Sequence, residues 1–171
     1  TRRYLENYGA FYIHCGLTAL GAPSLHDDHD LHGELPNAPF QHAWLEIDEV
    51  AGTVALAGSY EYAVAFTHHY RAETRAVLSA GSALIQTSIE VENLRGRDMP
   101  LMYLGHANFR PVNGSRLDYS APYDARSVRV RQTIPSHINP PPDYEALLAR
   151  LAQAPELHHV IEEGQAYDPE V

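Results

Sequence analysis

Between Ser82 and Asn93 the chain alternates with a period of two. Ile85, Thr87, Ile89 and Val91 fall on one face and Gln86, Ser88, Glu90 and Glu92 on the other. That is the signature of a strand with one face buried, and a strand of this kind needs a partner. The polar, glycine-bearing stretch Asn93-Leu94-Arg95-Gly96-Arg97-Asp98 follows it, and then the apolar run Pro100 to Phe109. The pattern predicts two strands joined by a turn. The second strand delivers His106, followed by Asn108, to a sheet surface or rim, where a rigid element holds an imidazole better than a loop does.

The same reading places strands near Gly9 to His14, Ala43 to Val50, Thr53 to Ala57, Tyr60 to Tyr70, Thr74 to Ser79, Leu84 to Glu92, Leu101 to Ala107, Ser127 to Gln132 and His158 to Ile161. Short strands divided by Gly, Pro, Asn and Asp turns indicate an all-β, mostly antiparallel sandwich. One helix is expected, Tyr144 to Gln153, packed outside the sandwich. Asp143 is its N-cap, Pro140-Pro141-Pro142 precedes it, and Leu147, Leu148 and Leu151 form its apolar stripe. Residues 134 to 142 read as a proline-rich connection.

Composition narrows the functional classes. A chain of 171 residues accommodates one domain with a real core. A formal charge of −10 disfavours nucleic acid, whose binding depends on Lys and Arg neutralising phosphates, and suits a neutral polyhydroxylated ligand. No run approaches the roughly 18 consecutive apolar residues of a membrane helix, and no charged-then-apolar leader indicates export, so a cytoplasmic protein is expected. The single cysteine, Cys15, sits among apolar residues with no base evident beside it and reads as a small core residue.

Three ordered segments carry a resemblance. Val91-Glu92-Asn93, a turn, Pro100-Leu101-Met102 and then His106-x-x-Phe109 resemble the aldose 1-epimerase (galactose mutarotase) superfamily. Phe11-Tyr12-Ile13-His14-Cys15-Gly16-Leu17, Gly21-Ala22-Pro23 and Leu31-His32-Gly33 are similar in order and spacing to one branch of it. The likeness spans most of residues 1 to 120. It implies a galactose mutarotase-like sandwich, of which this chain is the N-terminal part and middle. It also implies a catalytic general acid at His106, substrate binding by His32 and by an upstream arginine, Arg3 or else Arg2, and no cofactor. Asn108 either bonds a sugar hydroxyl or holds the tautomer of His106. Better-known mutarotases have asparagine immediately before the histidine, whereas this chain has Gly105. Their base is a carboxylate from a late strand, and Glu162, Glu163 and Glu170 all precede the place where it should occur.

The expected activity is interconversion of the anomers of a free aldose or sugar derivative by acid/base ring opening. An imidazole titrating near 6.5 suits the acid role. The alternative is a carbohydrate-binding domain of the same fold without turnover. Of the eleven histidines, His26, His29 and His32 stand three apart among aspartates, a pattern metal sites use. Gly33, Pro36 and Asp27-Asp28 indicate a loop, in which ligands at that spacing do not converge, so no metal is expected. His68-His69 and His158-His159 read as ordinary strand surface.

Overall fold

The computed structural model describes residues 4–6, 9–110, 112–118, 120–134 and 139–158. It contains six strands: β1 (Tyr12–Leu17), β2 (His42–Asp48), β3 (Thr53–Val64), β4 (His68–Ser79), β5 (Ile85–Asn93) and β6 (Met102–Ala107). β2 to β5 form a four-stranded sheet in sequence order, β1 pairs with β6 in a two-stranded ribbon, and every pairing is antiparallel. The fold is therefore all-β, with one α-helix among the described residues, α1 (Tyr144–Gln153). The chain divides into two compact units, Thr1–Asn108 and Phe109–Val171.

The period-two pattern of residues 82–93 becomes β5, and its register extends the two faces across the sheet. Val91 stands beside Ala72, which stands beside Tyr60. Around that row Leu17, Leu35, Tyr60, Tyr70 and Ala72 are buried, with Phe40, Ile89, Val91 and Met99 packed on them. The other face is polar: Arg75 bonds Glu46 at 2.7 Å, His69 bonds Glu61 at 2.7 Å and Arg71 bonds Glu92. These ion pairs are solvent-exposed, so they contribute little to stability beside the apolar face. A second, smaller cluster of Tyr4, Ile13 and Cys15, with Leu20 and Leu31 against it, lies on the ribbon.

Two strand readings need correction. The break expected at Gly58-Ser59 does not occur, because β3 runs straight through it. Gly58 is there because the ring of Phe40 packs on it; a Cβ would lie 2.9 Å from Phe40 Cδ1. The chain turns instead at Ala65 to Thr67, where Phe66 adopts φ 68° and Thr67 N–H bonds the Val64 carbonyl at 3.1 Å. No Gly, Pro, Asn or Asp marks that turn, so composition pointed to the wrong place. Nor do residues 127–132 form a strand. His158 ends a 3-10 turn, Pro155–His158, and residues 159–161 lie outside the described residues.

In the second unit, α1 has the expected bounds, and its buried Leu148 and Leu151 pack on Val130 and Ile134. Asp143 occupies the N-cap position, but its carboxylate makes no capping bond; only its carbonyl is used, by Leu147 N–H at 3.0 Å. Glu145 in the first turn and Arg150 in the last suit the helix dipole. Among the described residues no helix is long and apolar enough to cross a membrane.

Packing makes one expectation concrete. Leu17 is fully buried, so Leu17→Ala should cost about 2–5 kcal/mol in chemical denaturation. Leu25 is fully exposed, and Leu25→Ala should stay within about 0.5 kcal/mol of the parent.

Candidate functional site

Strand β1 is the frame of the site. Its pairing places His106 opposite Ile13 and Leu104 opposite Cys15. Because alternate residues share a face, Ile13, Cys15, Leu104 and His106 lie on one side of the ribbon and Tyr12, His14 and Tyr103 on the other. On the first side the chain entering through the 3-10 turn Tyr4–Glu6 lays the buried Tyr4 against Ile13 and Cys15.

The loop after β1 returns to the same place. His32 N–H bonds the Gly21 carbonyl at 2.9 Å and the His32 carbonyl accepts Gly16 N–H at 2.8 Å. His32 is held at φ 61°, a conformation costing a non-glycine residue about 1–3 kcal/mol. Gly33 follows at φ 84°, and a Cβ on it would lie 2.6 Å from the Gly16 carbonyl oxygen, so only glycine fits the turn. Next comes Glu34, whose carboxylate accepts Leu17 N–H and Thr18 N–H at 3.1 Å each, the Thr18 hydroxyl at 2.8 Å and the Tyr70 hydroxyl at 2.6 Å. Burial pushes the carboxyl pKa up, but the hydrogen bonds from Tyr70, Thr18 and Leu17 outweigh it and hold the group below its usual value.

Three rings therefore converge. Tyr4 and His32 are 4.8 Å apart between centroids, Tyr4 and His106 6.1 Å, and His32 and His106 6.1 Å. Burial first, and the neighbouring charge of His106 second, lower the pKa of His32, so its imidazole is neutral at neutral pH. Its Nδ1 is buried and takes no hydrogen bond among the described residues. The pair thus presents two imidazoles within reach of one small molecule.

The other expected residues fare differently. Arg3 and Arg2 lie outside the described residues. Asn108 donates its side-chain amide to the Ala10 carbonyl at 2.8 Å and its N–H to the Phe11 carbonyl at 2.7 Å. It ties the end of the ribbon, and its amide nitrogen is committed to backbone rather than to His106. Gly105, standing where better-known mutarotases have asparagine, faces the Tyr12 ring, and a Cβ would lie 2.9 Å from Tyr12 Cζ. A side chain there would have to displace the Tyr12 ring, and the His106 ring has Tyr4 and His32 as its ring neighbours. His29 bonds the Asp30 carbonyl through Nδ1 at 2.8 Å. Among the described residues no three His, Cys, Asp or Glu side chains are grouped to hold a metal.

Sequence reading passed over three features. Tyr4, the third ring, was one tyrosine among eleven. Glu34 directly follows Leu31-His32-Gly33, and that adjacency was its signal. The third is on the ribbon's far face, where His14 Nδ1 lies 2.8 Å from the Tyr103 hydroxyl and Tyr103 lies 3.2 Å from the Tyr12 hydroxyl. Burial lowers the pKa of His14 and raises that of Tyr103. A cavity of about 450 Å³ opens there, lined by Phe11, Tyr12, His14, Phe40, Leu56 and Thr87 among others.

Cys15 is fully buried beneath Tyr4, and burial pushes its thiol pKa up to about 11. The thiolate is the reactive form, so alkylation at pH 8 should be slow in the native protein and rapid once denaturant unfolds it. Prompt native-state labelling would contradict this packing.

Comparison with curated proteins and with solved structures gives no match for this chain. A family match covers residues 2–145, which include β1, the His32 turn, the whole four-stranded sheet and His106. The chain belongs to the family described as Domain of unknown function (DUF4432).

Proposed function

We propose that this chain carries the acid side of a sugar-epimerising site, in which His106 acts as general acid in opening the ring of a free aldose or sugar derivative. The observation that supports this most is the meeting of His32 and His106 at 6.1 Å beside Tyr4, although they come from a loop and a strand far apart in the chain. The resemblance of the same two segments to aldose 1-epimerases points the same way.

The chemistry asks for little else. Opening a hemiacetal needs a proton delivered to the ring oxygen while one is removed from the anomeric hydroxyl, and both oxygens are bonded to the same carbon. Donor and acceptor each work at roughly 2.6–3.2 Å. Protonated His106 gives its proton to the ring oxygen, the ring opens to the aldehyde, the C1 bond rotates, and reversal closes the other anomer. Neutral His32 accepts a hydrogen bond from a sugar hydroxyl or donates one to the ring, and Tyr4 supplies an aromatic wall. The base that takes the anomeric proton is a carboxylate from elsewhere in the enzyme, as the resemblance implies.

One-dimensional NMR of anomer exchange across a panel of free aldoses tests the reading. His106→Ala should slow the catalysed exchange by about 10²- to 10⁴-fold, the usual worth of one general acid. Sugar-induced shifts of both imidazoles with no acceleration of exchange would instead make the protein a carbohydrate-binding domain.

The pH dependence has a defined sign. His32 must be neutral to accept, and its pKa lies below 6.5, so the acid limb of kcat/KM should have its midpoint below 6.5. A decline already complete above 6.5 would contradict the assignment. His32→Gln, which cannot protonate, should remove that acid limb while retaining a weaker hydrogen bond to the sugar.

A further inference from the structure

We infer that Glu34 is the positioning residue of this site: its carboxylate clamps the His32 turn to the end of β1, the strand that also carries His106. The consequence for turnover rests on the epimerase reading, whereas the placement of His32 does not.

The argument is one of geometry. His32 is tied to the frame through its own N–H and carbonyl, to Gly21 and Gly16. Those two bonds, and the bond from Gly33 N–H to the Asp30 carbonyl at 2.9 Å, all hold the N-terminal side of Gly33, a residue at φ 84° with the widest backbone freedom of any type, and leave the side beyond it to be fixed. Glu34 closes the other side. It collects Leu17 N–H, Thr18 N–H and the Thr18 hydroxyl at the end of β1 and the Tyr70 hydroxyl from β4. Every partner is a donor, so a group that only accepts is required. A glutamine would keep one oxygen and turn an NH₂ toward Thr18. The clamp is also stiff: Tyr70 is fully buried in the main apolar cluster, and Leu35, next in sequence, is buried in the same cluster. The His32 ring is thereby set at a fixed height above Tyr4 and at a fixed distance from His106, the arrangement a two-oxygen substrate needs.

A residue that merely stabilised the fold would lower the melting temperature and leave the surviving native molecules unaltered. Imidazole ¹⁵N NMR of the whole chain distinguishes the two roles without any sugar. In Glu34→Gln the turn should relax, His32 should lose part of its burial against Tyr4 and His106, and its titration midpoint should rise toward the ordinary 6.5. Tyr70→Phe removes one donor but leaves the bonds to Leu17 and Thr18, so it should give a smaller rise of the same sign, whereas Ile89→Ala, which thins the apolar cluster without touching the carboxylate, should lower the melting temperature with the His32 midpoint unmoved. Should Glu34→Gln fail to fold, Thr18→Val, which deletes one hydroxyl from the clamp, should give a smaller rise of the same sign. A His32 midpoint unchanged in the folded Glu34→Gln protein, or in Thr18→Val where that alone folds, would overturn the inference. If the parent catalyses anomer exchange, kcat of Glu34→Gln should fall about a hundredfold, the scale set by misplacing a group by an ångström. A parent protein without exchange would refute the epimerase reading and leave the His32 titration to decide this one.

Discussion

The rest of the structure depends on the antiparallel pairing of β1 with β6. It joins segments from opposite ends of the first unit, so the whole four-stranded meander must be enclosed in the loop between them. Closing a loop of that length costs entropy that grows only slowly with size. The ribbon recovers it by burying Ile13 and Cys15 under Tyr4 on one face and by feeding Leu17 into the main cluster. Without that pairing β6 would have no partner in the described structure, and His106 would be an exposed side chain on a loose strand.

The second level of organisation is polar. The loop from Thr18 to Gln41 contains only one short 3-10 turn, Leu35–Asn37, as regular structure. Such a loop holds a defined shape only if its buried polar groups are satisfied, since each unsatisfied one costs about 1–3 kcal/mol. The backbone bonds of His32 and the four-donor shell of Glu34 meet that condition, with the buried His32 Nδ1 the exception in the loop. The loop is irregular without being undefined. This is the usual way in which a rigid scaffold presents chemistry on a connecting segment.

Much of this was legible in the residues. Ile85, Thr87, Ile89 and Val91 announced a half-buried strand and do lie on the apolar face; Tyr144 to Gln153 announced a helix with the bounds it has. Local periodicity reports local conformation, so these readings needed no tertiary information. What could not be read was anything set by contact across the chain. Phe66 turns the β3–β4 hairpin without a turn-forming residue, because long paired strands dictate where the hairpin closes. Residues 127–132 alternate like a strand yet find no partner. At the site, His32 and His106 were named on resemblance, but the ring between them, Tyr4, and the carboxylate beside them, Glu34, have no signature of their own. For Asn108, a sequence position near His106 said nothing of the Ala10 carbonyl that takes its amide nitrogen.

The two faces of the ribbon carry a further consequence, for insertions and deletions. His14 on one face and His106 on the other are set apart by the pairing register, which puts His14 opposite Gly105 and His106 opposite Ile13. The connection from Leu94 to Leu101 can lengthen at a cost of roughly 0.6 kcal/mol per doubling, with His106 left where it is. A single residue added or lost within Met102 to Ala107 is another matter. It would carry His106 across to the side of Tyr12 and Tyr103, and bring Gly105 or Ala107 into the place beside Tyr4. Among natural relatives, length variation should therefore gather in the connection and be absent from the strand. A reader of such sequences could use this to tell which histidine of a related chain occupies which face.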